Sequence, residues 1–280
     1  MIFGFREFCE IRNHIYARTG VHIGDQKVYL LRRRVEERLK ALGLSSAEEY
    51  IAYLKYRDGS GKEFDELVSS VTVNETYFFR EFPQLQTFAE HCLPEVVERK
   101  NTGRIHILSA GCSTGEEPYT LSIICQEMLD PPHNFSITAV DIDYRALEKA
   151  KQGIYDERSV RDVPQVYLEK YFTRTSKGFV VRDEVRRFVT FRKANLNDRE
   201  ALLALGRDFD FVFCRNVLIY FSDDSRRRVV ETFYAMMNPG GYIFLGHSES
   251  LSRITSAFEL KRMGGNLVYR KPLKELVREW

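Results

Sequence analysis

The hydrophobic rhythm of the chain changes near residue 70. Before that point apolar positions recur every three or four places, which predicts helices over 3–19, 27–42, 46–56 and 63–70. Gly20, Gly43 and the turn Asp58-Gly59-Ser60-Gly61 part them. In the second helix Val28, Leu31, Val35, Leu39 and Leu42 fall on one face, so that face packs inward. Residues 1–70 read as a small all-helical domain. Over 99–280 short apolar runs alternate with helical stretches: a strand from Ile105, a helix 118–129, a strand 135–142, a helix 144–151, an apolar run 209–214, a helix 223–237, and a strand 242–245 after the turn Asn238-Pro239-Gly240-Gly241. That alternation specifies a parallel sheet with crossover helices. The closing pair, 258–262 and 266–270 around Met263-Gly264-Gly265, reads as a hairpin.

Two stretches break the rhythm. Residues 71–83, VTVNETYFFREFP, mix polar and aromatic side chains too irregularly for a clean helix or strand and end at a proline. They read as a domain linker, continued by a connecting helix to residue 98. Tyr77, Phe78, Phe79 and Phe82 disfavour exposure, so the linker packs on something and leaves Asn74, Thr76 and Arg80 able to face a ligand. Between 171 and 196 lie two β-rich pieces, 178–181 and 187–193, joined by a charged turn. They suggest a small antiparallel subdomain over about 171–190, although the second piece also suits the third parallel strand of the sheet.

The chemistry gathers at the strand ends, where ligands of open α/β sheets bind. IHILSAGCSTGEEPY, from Ile105 to Tyr119, is a buried strand, a turn bracketed by Gly111 and Gly115, and a helix start with Glu116, Glu117 and Pro118 in its first turn. It is not a dinucleotide fingerprint, because Ser113 stands where a second glycine belongs. It looks like a degenerate first motif of class I S-adenosylmethionine methyltransferases, in which the backbone after Ala110 approaches the ligand. Asp141, ending the second strand, can accept both hydroxyl hydrogens of a ribose. Asp143 suits the cap of the next helix. Asn195 offers the donor and acceptor that an adenine edge needs, and Leu196, Arg215 and Asn216 arrive at the same crevice.

Composition narrows the partners. With 42 basic and 40 acidic residues the net charge is +2, which predicts no affinity for nucleic acid, and any basic site must be local. The second helix supplies one: Arg32 and Arg33 pair with Glu36 and Glu37 one turn on, whereas Lys27, Arg34 and Arg38 have no acid one turn away on their own stripe. Those three are candidates to receive an acidic partner. The five cysteines form no CxxC pair, no histidine spacing suits a metal, and no apolar run approaches the roughly 20 residues of a membrane span. The expectation is a monomeric cytoplasmic protein without a metal and without membrane insertion.

In order along the chain, VNETYFFR, AGCSTGEEPYTLSI, DIDYRALEKAKQGIY, CRNVLIYF and GHSESL are similar to the signature segments of the chemotaxis receptor glutamate methyltransferases, the CheR family. The resemblance covers nearly the whole chain. It implies an α/β fold: a Rossmann-like class I methyltransferase sheet with a terminal antiparallel hairpin, an all-helical N-terminal domain and a small β-subdomain. It implies S-adenosylmethionine as cofactor, S-adenosylhomocysteine as product, and the cytoplasmic helical domain of methyl-accepting chemotaxis receptors as partner. By the same likeness Asn74, Thr76, Arg80, Ala110, Gly111, Glu117, Asp141, Asn195, Leu196, Arg215 and Asn216 surround the cofactor. Arg80 and Tyr220 stand beside the reacting carboxylate, and the basic second helix docks the receptor. A glutamate acceptor is already ionised at neutral pH, so the reaction needs positioning rather than a general base. His247 in GHSES suits a turn-stabilising role better than a catalytic one. Where an Asn/Asp-Pro-Pro-aromatic motif for methylating amino groups could sit, the chain has CRNVLIY instead. Some members hold a receptor's C-terminal peptide on the β-subdomain, but the short turn at 173–178 lacks the glycine-rich loop that goes with it, which implies tether-independent action.

Overall fold

A computed structural model describes residues 3–101, 103–130 and 134–273. Four helices form the N-terminal domain: α1 (Phe5–Thr19), α2 (Val28–Leu42), α3 (Ala47–Tyr56) and α4 (Lys62–Val71). Their apolar faces meet in a core containing Phe8, Ile15, Leu31, Val35, Leu39, Tyr50, Phe64 and Leu67. Gly20 and Gly43 end α1 and α2 in the left-handed region, at φ 74° and 68°, where a side chain is strained. The Ser46 hydroxyl accepts the Glu49 N–H at 3.2 Å and starts α3.

This packing removes Arg38 from the expected docking stripe. Its guanidinium reaches from α2 to α4, where Nη2 meets Glu63 at 2.6 Å and Nη1 meets Glu66 at 3.5 Å. Tyr50 donates to the same Glu63 at 2.7 Å. The partners lie 25 and 28 residues along the chain, so helical periodicity could not show them. Arg34 is also less free than its stripe implied, because it shares Glu37 with Arg33 at 3.1 and 3.2 Å.

The linker leads into α5 (Phe82–Thr87), a single wide turn at Phe88–Cys92, and α6 (Leu93–Lys100), which together make the expected connecting helix. Beyond it come β1 (Ile105–Ala110), α7 (Glu116–Met128), β2 (Phe135–Asp141), α8 (Tyr144–Gln152), β3 (Ile154–Tyr155), α9 (Gln165–Tyr171), β4 (Phe172–Thr175), β5 (Gly178–Val181), α10 (Asp183–Arg186) and β6 (Val189–Lys193). Then follow α11 (Arg199–Leu203), β7 (Phe209–Cys214), α12 (Asp223–Met236), β8 (Met237–Leu245), β9 (Glu259–Met263) and β10 (Asn266–Arg270). The main sheet runs β6-β2-β1-β7-β8-β10-β9. Its first five strands are parallel, and β10 lies antiparallel to both β8 and β9. Helices cover both faces, so β7 is buried at every position and reads as an unbroken apolar run rather than an alternating one.

Of the two readings open for 187–193, the structure takes the parallel strand and not the subdomain, which therefore ends before 187: Val189–Lys193 is the edge strand of the main sheet, in register with Ile137 to Asp141. The small sheet is β3-β5-β4, built from Ile154–Tyr155, Phe172–Thr175 and Gly178–Val181. Its first strand has two residues, too few for any alternation to register. The turn at 238–241 likewise interrupts β8 rather than preceding it. Met237 already pairs with Phe209, and the ladder resumes at Tyr242 opposite Phe211.

Candidate active site

The sheet order reverses at β1, which has β2 on one side and β7 on the other, and ligands of this architecture bind in the crevice outside such a point. The turn after β1 is shaped for close approach. Gly111 sits at φ 80°, where a Cβ would come within 2.4 Å of Val217. Gly115 sits at φ 95°, where one would come within 2.8 Å of Ala150. Ser113, in the place of the missing glycine, takes the left-handed conformation itself at φ 48°. Its N–H donates to Asp141 at 2.7 Å, and its hydroxyl bonds the Asn74 side-chain oxygen at 2.9 Å. The degenerate motif therefore keeps the backbone path of its glycine form, and side-chain bonds hold the strained residue there.

A cavity of about 330 Å³ opens on this turn, within the range typical of small-molecule sites. Its walls include Asn74, Thr76, Arg80, Gly111, Glu117, Asp141, Asn195, Leu196, Arg215, Asn216 and Tyr220. Ala110 is not among them; it is buried beneath the turn, packed with the apolar cluster under β7. The helical domain closes one side with Thr19, Val21, His22 and Lys27. Lys27 thus stands in the cavity wall, its ammonium 5.7 Å from the centre of the Tyr220 ring, and not on an outer face of α2. Sequence reasoning missed this contribution, because the pairing of His22 N–H with the Tyr220 carbonyl at 2.7 Å and the Val21–Phe221 bridge join residues from distant parts of the chain.

The linker is fastened by its aromatic residues. Phe78 is fully buried, edge-on to Tyr155 at 4.8 Å and Phe172 at 5.0 Å, and such burial stabilises by about 1.5–3 kcal/mol. Phe78 N–H donates to the Ser159 carbonyl at 2.9 Å and Phe79 N–H to the Thr120 hydroxyl at 3.2 Å. Phe79 and Glu81 both adopt positive φ, at 60° and 55°, so the chain kinks on either side of Arg80. Arg80 Nη1 donates to the Glu75 carbonyl at 2.7 Å. That single bond leaves most of the guanidinium fork for a ligand. The Tyr220 hydroxyl makes no hydrogen bond among the described residues. Burial pushes its pKa up, and the Arg80 charge pulls it back.

Arg215 ties linker to sheet. Its guanidinium is 3% exposed, pairs with Glu81 and Glu117 at 3.2 Å each, and donates to the Arg80 carbonyl at 2.6 Å. Glu117 also accepts the Ser109 hydroxyl at 2.7 Å; burial raises its carboxyl above the ordinary range and Arg215 opposes that. Asp143 caps α8 as expected and does more. Its carboxylate accepts from Ser69, Thr72 and Asn74 at 2.6, 3.0 and 2.8 Å, linking the helical domain and linker to the end of β2. Asn195 is held from the helical side, its amide donating to the Arg18 carbonyl at 2.6 Å and its oxygen accepting Asn197 N–H at 3.0 Å. One amide hydrogen and one lone pair remain for a ligand.

The GHSES turn is organised by Glu249, which the sequence reading passed over, rather than by His247, which is exposed. Glu249 accepts the N–H groups of Gly246, Asn216 and Ile219 at 2.7, 2.8 and 3.1 Å.

The donor set fits S-adenosylmethionine. Asp141 can take ribose hydroxyls, Gly111 allows the ligand against the backbone, and the buried Arg215 Nε has no partner among the described residues. Residues 6–72 match the family described as the CheR methyltransferase all-alpha domain, and residues 74–264 match the CheR methyltransferase SAM binding domain. Chemotaxis protein methyltransferase 2 of Vibrio cholerae is 41% identical over 96% of this chain and 93% of its own length. The chemotaxis protein methyltransferases of Salmonella typhimurium and Escherichia coli are each 34% identical, over 95% and 94% of this chain and 88% and 89% of theirs. With the S-adenosylmethionine crevice, the helical domain that closes it and the strapped linker all covered by these likenesses, the chain belongs to the CheR family of S-adenosylmethionine-dependent methyltransferases.

Proposed function

We propose that the protein methylates glutamate side chains in the helical cytoplasmic segments of chemotaxis receptors, forming methyl esters and leaving S-adenosylhomocysteine. The observation that carries this reading is the placement of Arg80 and Tyr220, both with unspent hydrogen-bonding capacity, in the wall of the cofactor cavity. S-adenosylmethionine, when bound, supplies an electrophilic methyl group on its sulfonium. Arg80 grips one acceptor oxygen by charge-assisted hydrogen bonds and the Tyr220 hydroxyl orients the carboxylate. Lys27 adds positive charge to the same wall and favours an anionic acceptor. Together they hold the nucleophile in line with the methyl group, and the rate gain comes from that geometry. Transfer of labelled methyl to a receptor cytoplasmic domain, released as methanol by base, tests the reading. Label that stays base-stable, or that enters nucleic acid instead, rules it out.

For docking, Arg34 alone of the three remains on the stripe of α2 that an acidic receptor helix would meet, with Lys27 in the cavity wall and Arg38 committed inside the domain. At the β-subdomain Thr175 pairs with Gly178, so β4 and β5 join through Ser176 and Lys177 alone. So tight a hairpin offers no loop to fold over a peptide, which supports action without a tether. A receptor's C-terminal pentapeptide is expected not to bind in calorimetry; micromolar binding would show the opposite.

Asp141 supports a pH signature. Its carboxyl is pushed up to about 6, first because burial disfavours the charge and further because Asp143 lies beside it, while N–H groups of Asp143 and Ser113 oppose the rise. In the ligand-free protein a raised carboxyl pKa favours the fold at low pH, and that contribution is lost as pH rises from the unfolded value through about 6. Ribose hydroxyls donate to the ionised form, so cofactor affinity is expected to fall as pH drops through about 6 and to be level from neutral pH upward. Calorimetric titration of S-adenosylhomocysteine across this range checks it. Asp141→Asn should bind weakly at every pH, and a profile unchanged by that substitution would assign the titration to Glu116 or Glu117, whose carboxyls burial also raises.

A further inference from the structure

We infer that Glu249 is a positioning residue for the methyl-transfer step, acting on Tyr220 through the backbone of the loop after β7. The inference rests on the role proposed for Tyr220 above. Tyr220 ends a short helical turn, Leu218–Tyr220. The first N–H groups of such a turn have no carbonyl partner within it. Glu249 supplies that partner from a different segment: Oε1 accepts the Ile219 N–H at 3.1 Å and Oε2 the Asn216 N–H at 2.8 Å. The same Oε2 accepts Gly246 N–H at 2.7 Å and so anchors the carboxylate to the end of β8.

The loop needs this anchor. Asn216 lies at φ 59°, in the left-handed region. Gly246 packs against it so closely that a Cβ there would approach Asn216 N to 2.7 Å. Tyr220 has no side-chain hydrogen bond among the described residues to fix its ring, so its hydroxyl goes where its backbone turn sends it. The turn is also supported by the Arg226 Nε bond to the Leu218 carbonyl at 2.8 Å, the His22 N–H bond to the Tyr220 carbonyl at 2.7 Å and the bridge between Val21 and Phe221. None of these engages the Asn216 or Ile219 N–H. A carboxylate accepting three N–H groups makes charge-assisted bonds with fixed directions, and misplacement by about 1 Å at a reacting group costs on the order of a hundredfold in rate.

A double-mutant cycle of the full-length enzyme decides the matter, with Tyr220→Phe, Glu249→Ala and their combination assayed for methyl transfer to a receptor cytoplasmic domain. Glu249→Ala is expected to lower kcat by roughly tenfold to a hundredfold with the KM for S-adenosylmethionine held within about threefold. In the Tyr220→Phe background the same change should cost no more than about twofold, because the group it positions is already gone. Glu249→Gln retains an acceptor oxygen for part of the set and should recover most of the turnover. If the alanine variant does not fold, Glu249→Asp, which withdraws the carboxylate by one methylene, takes its place in the cycle. Additive losses, a full kcat in Glu249→Ala, or a loss confined to the cofactor KM each overturn the inference; the last would assign Glu249 to Asn216 and cofactor binding. Full turnover in Tyr220→Phe alone would instead remove Tyr220 from the reaction, and the inference with it.

Discussion

Arg80→Ala is expected to lower kcat for methyl transfer by about 10²–10³-fold, the range seen when one preorganised charge-stabilising donor is removed from an active site. The fold should persist, because little in the structure depends on this side chain. Among the described residues its contacts are one hydrogen bond to the Glu75 carbonyl and a distant placement over the Tyr77 ring, 5.8 Å from the centroid. The neighbouring acids are served elsewhere, Glu81 by Arg215 at 3.2 Å and Glu75 by Arg158 at 4.0 Å. No carboxylate is stranded by the substitution. The loss should therefore appear in turnover at saturating S-adenosylmethionine, with the thermal midpoint close to that of the parent. Arg80→Lys keeps the charge and loses the planar fork, so an intermediate rate is expected. Turnover unchanged in the alanine variant would take Arg80 out of the mechanism.

What the sequence disclosed, and what it withheld, divides by distance along the chain. Helices and buried strands announce themselves within ten or fifteen residues, and the parallel sheet with its terminal hairpin follows from their alternation. Asp141 was legible because an acid at the end of β2 must face the crevice, and Asp143 because the helix start after it is local. Arg38 was misread because the acids that hold it belong to another helix. Lys27 was placed on the wrong surface because nothing near it in sequence shows that residues 21 and 22 pair with 220 and 221. The small antiparallel sheet was legible, but its strand β3 escaped because it has two residues. Ser113 looked like a defect in a glycine motif, and only the bonds from Ser113 to Asp141 and Asn74 show why serine holds a glycine's conformation there.

Arg215→Ala should be the most damaging single substitution in the site, destabilising the protein by about 3–5 kcal/mol, as expected when one partner of a buried ion pair is removed. Its guanidinium separates Glu81 and Glu117, whose side chains are 20% and 15% exposed. Without it two carboxylates face one another in a crevice that already raises the Glu117 pKa by burial. The sign of the pH dependence then identifies the cause. The Glu117 carboxyl has a folded pKa above its unfolded value, so its penalty is absent at low pH and grows as pH rises through the folded pKa. The stability deficit relative to the parent, read by denaturant unfolding, should be smaller at pH near 5 than at pH near 8. An equal deficit at both would mean that the lost bond to the Arg80 carbonyl, not the unpaired charge, carries the effect. Adding Glu117→Gln to Arg215→Met removes one stranded charge and refills the volume, so most of the stability should return. Activity should not return with it. The linker turn that aims Arg80 would still lack the guanidinium that holds both its carbonyl and Glu81. Stability without turnover would separate the two tasks Arg215 performs, keeping buried acids apart and fixing the strap over the cofactor.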